Sequence, residues 1–200
     1  MKPIIAVTQG DPAGIGPEIS VKAFANHDLS KFGNILVIGD LQVIKDAMKY
    51  SGIKLDINVI NKVSEAKFSQ GTIDLIDLAL LNTGDWVMGE VGILSGEASY
   101  KYIEKSIKMA LHGEIQAVVT APICKEAVNK AGYHFAGHTE IFTELTGSQN
   151  TAMLLTNGTL RVIHVNTHVS MREVCNRITC ERVYNTIKRA QEACNLLGIT

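Results

Sequence analysis

Apolar residues in this chain fall into short continuous runs separated by longer stretches of helical period. Ile4-Ile5-Ala6-Val7 is such a run, closed by a loop rich in glycine and proline, as expected of a parallel strand buried on both faces. After the loop Gln9 to Gly16, Pro17 and Glu18 announce a helix through about Ala25, with proline in the first turn and an acid near the positive end of the helix dipole. The unit then repeats. Asn34 to Gly39 predicts a second strand, Asp40 is placed to cap a helix over Leu41 to Tyr50, and Gly52 stops it. Asp56 to Ile60 and Thr72 to Ile76 are weaker strand candidates, and the polar stretch between them leaves their pairing open. A long helix from about Ser95 to Leu111 places Ile103, Ile107 and Ala110 on one stripe.

Ala117 to Thr120 reads as a third buried strand, and Lys125 to Ala131 as a short helix closed by Gly132. Thr139 is placed to cap a further helix ending at Gly147, with His138 in the preceding turn. From Thr151 the pattern changes. Thr151 to Thr156 and Thr159 to Val165 flank Asn157-Gly158, the dipeptide of a two-residue hairpin turn. Ser170 and Glu173 have capping-box spacing, which sets His168 just outside a helix start. The last helix, Cys180 to Leu197, follows Thr179 as cap and carries Val183, Ile187, Ala190, Cys194 and Leu197 on one stripe.

These elements predict an α/β fold: a mostly parallel sheet with helices on both faces and an antiparallel hairpin near 151–165. Residues 1–136 read as a first α/β lobe and 137–200 as the start of a second, incomplete one. The pattern calls for another strand where the chain stops at Ile199-Thr200, so a longer natural chain is expected.

Composition narrows the function. The 200 residues are 46% hydrophobic and 20% charged, with a net charge of −1 and a pI near 6.6. No basic excess marks a nucleic-acid binder, which points to a small ligand. Cys124, Cys175, Cys180 and Cys194 form no CxxC pair and read as free thiols in a reducing cytoplasm. No signal peptide and no apolar run of membrane-spanning length is present, so a cytoplasmic location is expected.

Candidate chemistry gathers at strand ends and helix starts. The Gly10 to Gly16 loop fits neither the dinucleotide fingerprint nor the phosphate loop, and two readings stand: an anion cradle, or a tight turn needing glycine. Asp11 within it is available to a metal or a substrate hydroxyl. Lys125 follows the strand end Thr120-Ala121-Pro122, where open α/β sheets bind ligands, and a solvated helix lysine is the alternative. Cys124 beside it has no base placed for it and reads as structural. His168 is a metal-ligand candidate; His164 lies four before it but in strand and loop, where the two share no face, and reads as a sheet residue. His27, His112 and His134 read as surface or turn residues.

Four stretches carry a resemblance: Gly10-Asp11-Pro12-Ala13-Gly14-Ile15-Gly16-Pro17-Glu18, Thr120-Ala121-Pro122 with Lys125-Glu126, Gly137-His138-Thr139-Glu140, and Thr167-His168. In this order and spacing they resemble the 4-hydroxythreonine-4-phosphate dehydrogenase family, including its 4-phospho-threonate and 4-phospho-erythronate branch, along the N-terminal part of the family's length. The resemblance implies an isocitrate/isopropylmalate dehydrogenase-like fold and a homodimer with its active site at the interface. It implies NAD- or NADP-linked oxidation of a phosphorylated hydroxy acid with a divalent metal (zinc, magnesium or cobalt), then decarboxylation of the β-keto acid, in pyridoxine biosynthesis or on sugar acids. His138 and Thr139 would bind substrate, and His168 would be one of three histidine metal ligands, the other two lying outside these 200 residues. Asp11 and Lys125 are candidate catalytic residues by position. Thr8 to Pro12 and Val162 to His168 look more like the sugar-acid branch. Two other readings are a truncated, non-catalytic module that binds anions and dimerises, and a phosphate-handling transferase on a similar scaffold.

Overall fold

The first apolar run is strand β1 (Ile4–Thr8), and it is paired on both sides within a five-stranded parallel sheet. The structure, a computed structural model, describes residues 2–26, 28–148, 151–167 and 169–199, so the readings of His27 and His168 lie outside the described residues. Helix α1 (Gly16–Asn26) leads to β2 (Asn34–Gly39), and α2 (Leu41–Ser51) to β3 (Asp56–Ile60). Strand β4 (Thr72–Asp77), helix α3 (Ile93–Leu111), strand β5 (Ala117–Thr120), and helices α4 (Lys125–Lys130) and α5 (His138–Thr146) follow. The strand order is β3-β4-β2-β1-β5, all parallel, with Ile4 beside Asn34 and Thr8 beside Ile38 and Thr120.

Alternation along the strands divides the core. Ala6, Leu36 and Ile38 point to one face and pack with Ala98, Tyr102 and Met109 of α3; Val37, Ile73 and Leu75 point to the other, against Val21 and Phe24 of α1 and Ile44 and Ala47 of α2. Helix α3 is apolar on two sides. Tyr100, Ile103 and Ile107 turn away from the sheet onto Val128 of α4 and Ile141 of α5. The stripe expected from Ile103, Ile107 and Ala110 is therefore corrected: Ala110 is exposed, and Tyr102 and Met109 make the sheet contact.

The polar stretch between β3 and β4 is organised by a buried carboxylate. Asp74 accepts hydrogen bonds from the Asn58 amide (2.6 Å) and from the backbone N–H groups of Lys67 (3.0 Å) and Phe68 (2.7 Å). Those bonds fold the connection back so that β3 and β4 pair in parallel, Asp56 to Thr72 through Ile60 to Ile76.

Helix α5 starts one residue before the expected cap. The Gly137 carbonyl accepts from the Ile141 N–H (3.3 Å), so His138 is the first helical residue and Thr139 lies inside the first turn. Because Ile141 is fully buried with α3, this compact unit runs from Met1 to Thr146, beyond the 136/137 division read from the sequence.

A second unit covers Gly147 to Thr200. Strands β6 (Leu154–Asn157) and β7 (Leu160–Ile163) form the antiparallel hairpin, with Asn157 opposite Leu160. The loop residues are thus Gly158 and Thr159, one position later than expected. Gly158 has φ +57 and Thr159 does not share the positive φ, which fits a turn with glycine first rather than an Asn-Gly turn. His164 follows β7 and is exposed rather than in the sheet. Ser170 caps α6 (Met171–Arg177) through the Glu173 N–H, and Thr179 caps α7 (Cys180–Leu196) through the Arg182 N–H.

The α3–α4 contact gives a direct test. A Cβ at Gly96 would meet the Ala127 carbonyl oxygen at 2.1 Å, so the backbones approach as only glycine allows. Gly96→Ala in the whole protein is expected to lower stability by about 1–3 kcal/mol, read from urea unfolding; an unchanged midpoint would contradict this packing.

Candidate active site at the carboxyl edge of the sheet

Every strand of a parallel sheet ends on the same edge, and there the buried backbone must turn into loops without losing its hydrogen bonds. Gln9, directly after β1, is fully buried and accepts the Asp40 N–H through Oε1 at 2.9 Å. The contact needs Gly39, where a Cβ would lie 2.1 Å from that oxygen. The Asp40 carboxylate accepts from the N–H groups of Leu80 (2.6 Å) and Leu81 (3.1 Å) and from the Tyr102 hydroxyl. Burial pushes the Asp40 carboxyl above the usual carboxylate range against the pull of these donors, and burial beside Asp40 keeps the Tyr102 phenol neutral.

This corrects the reading of Asp40 as the cap of α2. It sits at the cap position, but its side chain makes no cap hydrogen bond. Asp77, from the end of β4, does that work by accepting the Leu41 N–H at 3.0 Å, together with the Ala79 N–H at 3.0 Å.

Strand β1 then turns through Gly10, whose φ of +77 and approach to the Pro122 carbonyl exclude a side chain. The Asp11 N–H donates to that carbonyl at 2.9 Å, Ala13 N–H to Asp11 Oδ1 at 2.9 Å, and Gly14 N–H to the Asp11 carbonyl at 3.0 Å. The loop spends these donors on itself and on β5, which supports the tight-turn reading over an anion cradle. Asp11 is only 6% exposed, and burial raises its carboxyl above the usual range with only the Ala13 N–H opposing.

His138 hangs from the neighbouring carbonyl. Its ring lies beside the Ala121 carbonyl, and Nε2 is buried without a hydrogen-bond partner. Burial lowers the His138 pKa; the bond to Ala121 opposes this and the nearby Lys125 charge adds to it. The ring is therefore neutral near pH 7. Lys125, the first residue of α4, lies against Gly137, its Cε 3.6 Å and Nζ 3.9 Å from the position a Cβ would take there; Glu140 Oε2 is 3.5 Å from the same point. The loop before His138 is held by an aromatic stack. Tyr133 lies on Tyr100 at 3.7 Å between centroids and Phe135 at 6.0 Å.

The fold thus brings Asp11, Lys125, His138 and Thr139 to the exit of β1 and β5. The connections leave these adjacent strands differently, since α1 carries β1 back toward β2 whereas β5 runs on into α4, and ligands of open α/β sheets bind where such exits diverge. Cys124 is half-buried and caps nothing. Sequence reasoning missed Gln9, Tyr102 and Asp77. Nothing in their local spacing marks them, because each acts on a residue far along the chain.

Residues 31–200 match the family described as pyridoxal phosphate biosynthetic protein PdxA. The chain belongs to this family. A relative from Symbiobacterium thermophilum, provisionally named D-threonate 4-phosphate dehydrogenase, is 42% identical over 99% of this chain and 59% of its own length. Among solved structures, 4-hydroxythreonine-4-phosphate dehydrogenase from Klebsiella pneumoniae superposes with a TM-score of 0.89 at 36% identity, covering 96% of this chain and 58% of that one. The same enzyme from Burkholderia phymatum gives 0.87 at 38%, covering 95% and 57%. The chain therefore spans somewhat under three-fifths of the length of these relatives. Isocitrate dehydrogenase-like expectations of an α/β fold with a mostly parallel sheet and a separate hairpin agree with this PdxA likeness.

Asp11 supplies a pH test. A carboxyl whose folded pKa is raised destabilises the folded state increasingly as pH climbs from the unfolded value, near 3.9, through the folded one. Asp11→Asn keeps the acceptor for Ala13 and removes the charge. Its melting temperature in the whole protein is expected to exceed the parent's at pH 7, with the gap closing toward about pH 4; a gap that widens in acid would refute the buried, unpaired carboxylate.

Proposed function

We propose that the whole protein is a metal-dependent dehydrogenase of the PdxA family that oxidises a phosphorylated hydroxy acid with NAD or NADP, and that the resulting β-keto acid then loses carbon dioxide. The observation that carries this reading is His138 at the carboxyl edge of the sheet, its pKa lowered by burial and its Nε2 buried without a hydrogen-bond partner, in a chain whose relatives bear dehydrogenase names. The favoured substrate is of the 4-phospho-threonate type, in line with the name of the Symbiobacterium relative; 4-phosphooxy-threonine is the other member of the class.

In this reading His138 and Thr139 bind the substrate. His138 accepts a hydrogen bond from a substrate hydroxyl, and Thr139 offers its hydroxyl from the first turn of α5. Asp11, buried and above the usual carboxylate range, is the candidate to take or hold a proton near that hydroxyl. The Asp40, Gln9 and Tyr102 network fixes the loop that carries Asp11 and keeps water from the strand ends. The protein acts as a homodimer with the site at the interface, in the cytoplasm; among the described residues no helix is long and apolar enough to cross a membrane.

His168 is assigned as one ligand of a divalent cation (zinc, magnesium or cobalt). Asn166, two residues before it, has a buried Oδ1 without a hydrogen-bond partner, an oxygen suited to a cation-binding segment. Among the described residues, to which His168 does not belong, no three potential ligands gather. When bound, the ion supplies Lewis acidity toward the substrate oxygen.

The whole protein given 4-phospho-threonate and NAD is expected to produce NADH, and a chelator to stop it. His168→Ala is expected to cut metal-dependent turnover by more than about 100-fold, beyond the usual loss for a residue that merely supports a ligand, with an unchanged circular dichroism spectrum. Full activity in that variant removes His168 from the metal site, and turnover insensitive to chelator removes the metal.

A further inference from the structure

The two faces of the parallel sheet are covered unequally at β1 and β5. On the α3 face, Ala6 of β1 is fully buried, and Val118 of β5 packs into the same core with Ala98 and Tyr102. On the opposite face α1 and α2 lie over β2 and β4, where Val37 and Leu75 are fully buried. The next two strands are left bare. Val7 is only half-buried there, and its neighbour across the ladder, Val119, is 53% exposed. The bare strip is a groove of about 580 Å³, floored by Ile5, Val7 and Val119 and walled by Ile19 and Phe24 of α1, with the exposed Phe32 beside them.

The shape and chemistry of this groove say what covers it. Two strands set about 4.8 Å apart make a strip close to the width of one helix, about 10–12 Å with its side chains. Among the described residues β5 pairs with β1 alone, so its outer edge is open along the same strip. Parallel sheets are buried on both faces, and an apolar edge such as Ala117-Val118-Val119-Thr120 invites pairing with further backbone. No charged side chain lines the groove, and the Ser20 hydroxyl within it is spent on the Gly16 carbonyl at 2.9 Å. A small ligand would find little to orient it, and a transient partner would meet no polar rim. The surface has the character of a core cut in half. Chain to complete it is present in the relatives: the match covers 59% of the Symbiobacterium thermophilum protein and 58% of the Klebsiella pneumoniae one, which leaves about two-fifths of each.

We infer that a segment of the whole protein from outside these 200 residues returns to the first unit, laying an apolar helix in this groove and a strand along the outer edge of β5. The first unit is then built from two separate stretches of chain. Because β5 leads directly to Ala121 and Pro122, the same segment steadies the carboxyl edge from its open side.

The test is made on the whole protein with Val119→Cys, and with Tyr50→Cys on α2 as the control, since the two positions are similarly exposed in these 200 residues, 53% and 46%. Maleimide labelling is read residue by residue from peptide masses, because the chain has four cysteines of its own. The Val119→Cys variant is expected to label at least about 10-fold more slowly than Tyr50→Cys when folded, at any protein concentration, and equally fast in urea. Equal rates in the folded protein overturn the inference. A slow rate that is lost on dilution, as a dimer comes apart, assigns the groove to a second copy and overturns it as well. Hydrogen exchange on the parent needs no substitution: the β5 amides are expected to exchange as slowly as those of β1, which is paired on both sides, and fast exchange at β5 overturns the added strand. A natural product with only the 21.7 kDa of these residues has no such segment and overturns the inference too. Each readout is independent of turnover, so its failure leaves the proposed dehydrogenase activity standing.

Discussion

The carboxylate of Asp40 is held where three distant parts of the chain meet, and most of the carboxyl edge depends on how its charge is satisfied. The loop after β4 gives it two N–H groups, α3 gives it the Tyr102 hydroxyl, and its own backbone N–H ties it to Gln9 behind β1. Leaving one such buried group unpaired costs about 1–3 kcal/mol, and more for an ion, so the network is held together or lost largely as a unit. Through Gln9 it fixes the end of β1, and through Gly10 and Asp11 it reaches the Pro122 carbonyl at the exit of β5.

That exit is also where the recognition groups gather. Of the consecutive carbonyls Ala121 and Pro122, the second accepts the Asp11 N–H and the first lies beside the His138 ring. A short strand end thus sets two side chains that are 127 positions apart in numbering, roughly the span from the first loop to α5. The aromatic stack of Tyr100, Tyr133 and Phe135 braces the other side of the same loop, so His138 is held from the sheet and from α3 together.

Much of the fold was legible because local physics decides it. Continuous apolar runs marked β1, β2 and β5, and Ser170 and Thr179 cap their helices as their spacing required. The misreadings share a cause. Asp40 has the residue type and position of a cap, but a stronger set of donors from Leu80, Leu81 and Tyr102 claims it. The hairpin slipped by one residue because cross-strand pairing, rather than the dipeptide, placed Gly158 first in the loop. The stretch between β3 and β4 had no readable period because Asp74, one buried carboxylate, shapes it through bonds to Asn58, Lys67 and Phe68.

The sequence by itself determined which segments are strands and helices, the parallel class of the sheet, and the motifs that belong to the PdxA family. Each of these follows from hydrophobic period, chain stereochemistry or residue type within a few positions. Only the tertiary structure decided the strand order, the pairing of β3 with β4, the placement of His138 beside the Ala121 carbonyl, and the donors that claim Asp40. Those depend on which buried donors and acceptors meet across the sheet edge, and a hydrogen bond between residues far apart in the chain leaves no spacing to read.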